Sequence, residues 1–565
     1  MDEHFDVVVV GSGFGGSVVT HRMAEADKSV CLLERGKPYP PGSFPRDPRG
    51  LASNLWNPQS GLYGLFDVWS FRRLEAVVSS GLGGGSLIYA NVLIRKDPRW
   101  FVRQEQGEPG GEAWPITYED LEDHYQAAEE MLGATPYPFA DEPYRHTSKT
   151  QAMRDAAQDL GLDFALPNLA VTFARGPDHP PRPGEPLEES PAENLHNRPR
   201  WTCCLCGECD VGCNYGSKNS LDFNYLSRAK QRNADIRTLA EVRRIEPLDG
   251  PGRGFRVTYV QHDPARGAVS RDGLPHVSVT ADKLVLSAGS LGTTYLLLRN
   301  RAALPHLSPA LGTRFSGNGD LLTFLRASSR RVDGTTVPRW LDPSLGPVIT
   351  SRIRVGDALD GTGEAGRGFY AEEGGYPHFL SWLVEASDAP HAALRVSRLV
   401  LGRLAARLKG DPRSNLSSDV SALLGEGRAS GTTMPMLVMG RDVPDGVMRL
   451  RKGNLDVNWT ATASEAYFSR VEDTLHGIGQ ALGARIMNWP LWLFKRLITV
   501  HPVGGCPMGA NPGQGVVDSH GQAFHYPGLY VADGSAMPGP VGPNPSLTIA
   551  AFAHRVADGM LVASS

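Results

Sequence analysis

Residues 5–16 read Phe-Asp-Val-Val-Val-Val-Gly-Ser-Gly-Phe-Gly-Gly, a continuous apolar run that breaks into a glycine turn. An apolar run of this length bounded by glycine predicts a buried strand, and the following residues through Val18 to Glu25 predict a helix. Ser29-Val-Cys-Leu-Leu-Glu then reads as a second strand ending in an acid. The three pieces make a βαβ unit. Gly11, Gly13 and Gly16 form G-x-G-x-x-G directly after the first strand, a spacing that lets the chain turn tightly, approach a pyrophosphate and present helix N-terminal N–H groups to it. Glu34, 23 residues after Gly11, stands where a carboxylate accepts hydrogen bonds from an adenosine ribose. A glutamate there suits FAD or NAD, because it would repel the 2'-phosphate of NADP.

The rest of the chain is long enough to surround such a unit with a second lobe: 565 residues, 41% hydrophobic and 21% charged, with a formal net charge of -4. That charge excludes an electrostatic bid for nucleic acid. The start, Met1-Asp-Glu-His-Phe, leaves no room for a basic and then apolar leader, and no window approaches the roughly 20 apolar residues of a spanning helix; the chain is expected to be cytoplasmic, with no transmembrane segment. Residues 38–79 break into proline, glycine and aromatic residues and predict an excursion over the surface. Residues 177–199, rich in proline and glutamate, predict a mobile loop. Asp235 to Glu246, Lys283 to Ser287 and Gly528 to Ala532 read as further strands, with helices over Thr293 to Asn300 and Leu547 to Val562. The expected architecture is α/β: a Rossmann-type domain assembled from discontinuous segments, plus an α+β substrate-binding domain with an antiparallel sheet. The division is 1–318 for the nucleotide domain, 319–488 for the substrate-binding cap and 489–565 for the return to the nucleotide domain.

Two further glycine-rich segments narrow the class. Gly81-Leu-Gly-Gly-Gly-Ser-Leu-Ile-Tyr-Ala-Asn resembles the first signature of the glucose-methanol-choline (GMC) oxidoreductases, and Ser287-Ala-Gly-Ser-Leu-Gly-Thr-Thr-Tyr resembles the second. The nearest resemblance is to the bacterial cholesterol-oxidase-like branch, although Tyr89 stands where the best-known of those enzymes have Asn. The resemblance implies FAD, held by Gly81, Gly84, Gly85, Ser86, Asn91, Val242, Ala288, Asp533, Gly534, Asn544 and Pro545 besides Gly11, Gly13, Gly16 and Glu34. It also implies an active site. His501, in His-Pro-Val-Gly-Gly-Cys-Pro-Met-Gly, and Asn544, in Val-Gly-Pro-Asn-Pro-Ser, match positions that face the flavin. Alcohol oxidation needs a base for the hydroxyl proton as hydride leaves carbon, and imidazole titrates in the useful range. An amide can orient the oxygen without titrating. Glu372, in Phe369-Tyr-Ala-Glu-Glu-Gly, resembles a glutamate base of steroid oxidases, with Glu373 adjacent.

Five of the seven cysteines fall within eleven residues. Cys203, Cys206, Cys209 and Cys213 have the spacing of a bacterial ferredoxin, with Asn214 in place of the usual proline. Read with Cys204 as a substitute ligand, the segment also resembles the iron-sulfur segment of FAD-dependent glucose dehydrogenase subunits. An iron-sulfur cluster, a zinc site and unmetallated thiols or disulfides are the three readings. The first implies a dehydrogenase handing electrons to a redox protein; the last permits an oxidase using O2.

For the substrate, Leu394 to Lys409 reads as a basic amphipathic helix, open to transient membrane contact as well as to packing on a core. Trp489 to Phe494 offers aromatic walls for a bulky alcohol. A hydrophobic secondary alcohol such as a sterol leads, a sugar or polyol follows, and a flavoprotein acting only as an electron-transfer or sensing module is the alternative of another class.

Overall fold

The computed structural model describes residues 2–103, 112–248, 253–268, 274–378, 428–488 and 496–562. The regions of the amphipathic helix expected at 394–409 and the aromatic stretch 489–494 lie outside these residues.

The first strand, Glu3–Val10, is the pivot of a seven-stranded sheet. It pairs in parallel with Val30–Leu33 on one side and with His276–Leu286 on the other; Asp235–Arg237 and Leu529–Val531 extend the parallel part outward. Val7 to Val10 and Val30 to Leu33 are all buried, as a parallel strand covered on both faces requires. Helix Phe14–Glu25 covers one face and packs against helix Ser546–Val562. Strands Ala240–Pro247 and Phe255–Gln261 add an antiparallel edge. The Rossmann sheet is thus gathered from segments more than 500 residues apart, as expected.

The second sheet has six strands in the order Arg485–Asn488, Leu321–Arg326, Met434–Gly440, Phe369–Glu373, Arg352–Val355, Asp163–Ala165, and every pairing in it is antiparallel. Its pleat sorts side chains between two destinations. Leu321, Leu325, Met436, Val438, Phe369 and Ala371 pack with Met153 of helix Ser148–Leu160 and Val471 of helix Glu465–Ala481. Leu322, Phe324 and Leu437, one position out of phase, turn to the opposite face and line a large cavity between the two sheets.

Two expectations are corrected. Residues 38–79 are not merely a surface excursion: Phe66–Ser70 and Leu74–Ser79 form an antiparallel hairpin, and Leu497–Thr499 joins it in parallel, so this segment carries the strand that leads into His501. The apolar residues of Leu74-Glu-Ala-Val-Val drive it. Residues 177–199 are irregular, but they are tied down: Leu187 N–H donates to Arg200 O and Thr202 N–H to Glu185 O, which lays the segment along the cysteine run. Among the described residues no helix is long and apolar enough to cross a membrane.

Candidate active site

The glycine turn does three different jobs. Gly11 has φ +94°, and a Cβ there would come within 2.4 Å of Ser287 O. A Cβ on Gly16 would lie 1.9 Å from Gly11 O, so this glycine closes the helix onto the turn. Gly13 differs: a Cβ on it would meet nothing within 4 Å, and it stands at the start of helix Phe14–Glu25 with no side chain capping the exposed N–H groups. That uncapped end opens into the cavity, an anion cradle of the kind a pyrophosphate occupies. At the tip of the second strand Glu34 is buried. Its Oε2 accepts from Ser12 N at 2.9 Å and Ser12 Oγ at 2.6 Å, and its Oε1 accepts from Gly36 N at 2.8 Å. These residues fit the pyrophosphate and ribose of a dinucleotide.

The same cavity, about 1410 Å³, is lined by Gly84, Gly85, Val242, Ala288, Asp533, Gly534 and Pro545. Asp533 is rigidly held: Ser535 N and Oγ meet its Oδ1, Gly289 N and Thr293 Oγ1 its Oδ2. Four expected contacts stand back from the wall. Gly16 is inside the helix turn, and Gly81 is packed against Leu87 and Tyr39. Ser86 donates to Gly83 O and accepts from Leu221 N. Asn91, buried with φ +70°, turns instead to a small cavity beside the cysteines.

His501 and Asn544 line the same cavity. His501 follows strand Leu497–Thr499, and its Nδ1 lies 2.8 Å from Asp320 Oδ1. The other carboxylate oxygen of Asp320 accepts from Val500 N at 2.8 Å and His501 N at 3.1 Å, with the Thr499 hydroxyl at 2.9 Å. A carboxylate at Nδ1 keeps the proton on that nitrogen and leaves Nε2 as the free base. Asp320 was not legible in the sequence. It lies 181 residues before His501, and its only signal is an acid placed directly before an apolar strand.

Asn544 donates from Nδ2 to Glu372 Oε2 at 3.2 Å, and its Oδ1 is buried with no partner among the described residues. The pleat separates the two adjacent glutamates. Glu373 points to the helix side, where Thr350 and Ser351 donate to it and Lys149 lies near. Glu372 points the other way, to Asn544, and its Oε1 has no hydrogen-bond partner among the described residues. Burial pushes the Glu372 carboxyl up to about 8, with Glu373 adding to the shift and the Asn544 hydrogen bond opposing it. Glu372 therefore carries a proton at neutral pH. In the unfolded chain the same carboxyl loses its proton near its ordinary value of 4.5, so the stability it supports is full below about 4.5 and is lost as pH rises toward about 8. Glu372→Gln should accordingly melt progressively higher than wild type as pH is raised through that window. Melting curves across it check the sign, and parallel curves would mean that Glu372 is ionised when folded.

The sequence reading also missed Asp210. It lines the cavity from within the cysteine segment, exposed to that space, has no ion pair or hydrogen bond on its carboxylate among the described residues, and is raised to about 6 by the protein that surrounds it and displaces bulk water, against the pull of Lys218, Lys149 and His501.

The cysteines themselves surround a second cavity of about 20 Å³, with Ser217 and Lys218. All are free thiols, and burial raises Cys203, Cys204, Cys206 and Cys209 above the ordinary thiol range. Among the described residues no group of three or more His, Cys, Asp or Glu is placed to hold a metal ion. As they stand the thiols do not fit a cluster.

A dinucleotide cradle and a histidine–amide pair sharing one cavity between a Rossmann sheet and an antiparallel sheet define a flavin-dependent oxidoreductase acting on alcohols. The GMC oxidoreductase profiles match residues 192–316 and 492–553. The chain is 30% identical over 570 residues to a cholesterol oxidase of Mycobacterium tuberculosis, covering 99% of this chain and 91% of that one. It is 27% identical to a cholesterol oxidase of Acinetobacter baumannii, covering 98% and 93%, and 24% identical to a gluconate 2-dehydrogenase flavoprotein of Pantoea cypripedii, covering 97% and 92%. The crystal structure of a pyridoxine 4-oxidase, 17% identical, superposes with a TM-score of 0.58 over 99% of both chains and shares the fold. The chain belongs to the GMC oxidoreductase family, and its cofactor is FAD.

Proposed function

We propose that this enzyme oxidises a bulky apolar secondary alcohol, a sterol or a molecule shaped like one, to the ketone. The observation that carries the reading is the wall of the cavity that His501 and Asn544 line: Leu322, Phe324, Val348, Ile349, Leu437 and Met487 line it too, giving apolar surface in the same space as the nucleotide cradle. Such a chamber holds a large apolar body, and a few polar groups fix the one end that reacts. The identities of the cholesterol oxidases among the relatives point the same way.

Bound FAD supplies the hydride acceptor. The chain's own residues supply the rest. His501 Nε2 takes the hydroxyl proton, and the Asp320 carboxylate at Nδ1 stabilises the imidazolium that results. Asn544 has a second N–H on Nδ2, beyond the one given to Glu372, to hold the substrate oxygen as charge builds on it. Glu372, protonated, acts first as the neutral support of Asn544 rather than as a ready base. The walls keep water from the oxygen. Electrons leave to O2 or to a redox protein, and peroxide formed in air identifies the former.

One observation favours the second reading, a sugar or polyol. Asp210 places on the wall a carboxylate with no partner among the described residues, a natural acceptor for a further hydroxyl. Anaerobic mixing decides between them: cholesterol should bleach the flavin absorbance and glucose should not, and the reverse order overturns the sterol reading. His501→Ala should slow bleaching about 100-fold or more, and near-wild-type kinetics would remove His501 from the chemistry.

A further inference from the structure

The segment that carries Asn544, residues 538–545, reads Pro-Gly-Pro-Val-Gly-Pro-Asn-Pro. Four prolines lack an N–H and block any helix or central strand, so the segment cannot hold itself in place by backbone pairing. Among the described residues, the hydrogen bonds to its backbone before Asn544 come from two buried side chains. Lys96 Nζ donates to Pro540 O at 2.8 Å and to Val541 O at 3.1 Å. Asn318 works from the other side: its Oδ1 accepts from Gly542 N at 2.9 Å, and its Nδ2 donates to Pro543 O at 3.1 Å. Its amide thus reads both polar groups of the peptide run that leads into Asn544.

Asn318 is itself fixed. It is fully buried with φ +56°, a left-handed conformation that asparagine tolerates better than most residues. Its N–H donates to Ser316 Oγ at 2.9 Å, and its carbonyl accepts from Gly440 N at 2.9 Å. Ser316 in turn donates to the buried Asp442. Two residues on, in the same turn, stands Asp320, which holds His501. The partners of Asn318 and Asp320 come from separate segments of the chain, 542–543 and 499–501, and this turn bonds to both.

We propose that Asn318 is a positioning residue for the oxidation: it sets the loop that aims Asn544 into the cavity, and, because it shares a turn with Asp320, this one turn aligns the amide with the histidine. The inference rests on the role given above to Asn544. A misplacement of about 1 Å at a reacting group is enough to cost on the order of 100-fold, and the loop has no internal pairing to resist such a shift. Asn318→Ala therefore acts through Asn544.

The test is a double-mutant cycle on the FAD-loaded enzyme with Asn318→Ala, Asn544→Ala and both together. It is read by anaerobic flavin bleaching with whichever of cholesterol, a long-chain primary alcohol or glucose reacts fastest, and by amide hydrogen exchange over 537–549. Asn318→Ala should slow bleaching about 30-fold alone but less than about 3-fold in the Asn544→Ala background, because residues that act as one unit are not additive. Exchange should rise in that loop and not in the strand Glu3–Val10. Effects that multiply, or unchanged loop exchange, overturn the proposal. If Asn544→Ala alone leaves bleaching at the wild-type rate, the role of Asn544 fails instead, and the loop exchange still judges the positioning. Asn318→Asp, equal in size, guards against misfolding. It keeps the acceptor for Gly542 N but sets a carboxyl oxygen against Pro543 O where the donor stood, and it should show the same non-additivity at least as strongly.

Discussion

Asp320→Asn should lower the rate of flavin bleaching by alcohol on the order of 10³-fold while leaving the protein folded and loaded with FAD. The size of the effect follows from the donors around the side chain. Val500 N, His501 N and the Thr499 hydroxyl all crowd Oδ2, so the new amide must turn its oxygen toward them. Its NH2 group then faces His501 Nδ1, where the carboxylate oxygen had stood at 2.8 Å. An amide that donates to Nδ1 forces the imidazole proton onto Nε2, and the nitrogen that should accept the hydroxyl proton already carries one. The substitution inverts the base rather than deleting it, which is why it should exceed His501→Ala in effect. Stopped-flow bleaching measures the rate, and a loss smaller than about 10-fold would show that Asp320 holds the backbone alone.

Gly13→Ala and Gly15→Ala should fail in opposite ways. A Cβ on Gly15 would sit 1.6 Å from Ala532 O, the backbone of the segment leaving strand Leu529–Val531. No side chain can yield there, so the helix and the strand end must part, and the variant should not accumulate as folded protein. Gly13 has φ −70°, which alanine adopts freely, and open space where the Cβ would go. That variant should fold and melt within a few degrees of wild type. Its methyl group, however, fills the space through which the backbone approaches a pyrophosphate. FAD affinity should fall on the order of 100-fold, equal to about 2.7 kcal/mol. Titration of apoprotein with FAD checks it, and unchanged affinity would move the pyrophosphate elsewhere.

The sequence made the first sheet readable because a continuous apolar run, a glycine turn and an acid at the right distance are local signals. Glu34 and the three glycines need only the neighbouring thirty residues to be recognised. The active centre is of another kind. His501 and Asn544 are visible through motifs, but Asp320 and Asn318 gain their meaning from partners about 180 and 220 residues away. Nothing in Ser316-Gly-Asn-Gly-Asp announces that two loops will close on it. The choice between Glu372 and Glu373 was open in sequence because neighbours in a strand have similar surroundings on paper; only the pleat shows that one faces a lysine and the other an amide. The cysteine run is of a third kind: its spacing admits an iron-sulfur cluster, zinc or free thiols alike, and the choice depends on contacts from elsewhere, such as Lys218, whose Nζ donates to Leu87 O, Tyr89 O and Cys209 O.

Strand Leu529–Val531 lies beside His276–Leu286, and helix Ser546–Val562 lies against the helix that follows the first strand. Ribosomal synthesis runs in one direction. The first βαβ unit is therefore made with one face of its helix bare, and it waits through more than 500 residues of translation before its last covers arrive, helix Ser546–Val562 on that face and strand Leu529–Val531 beside His276–Leu286. Asp533 and Asn544 come with those covers, so a nascent chain has the cradle for a nucleotide long before it has a closed pocket. The pocket is complete only once the last helix has been made, so binding of FAD to a closed site follows translation.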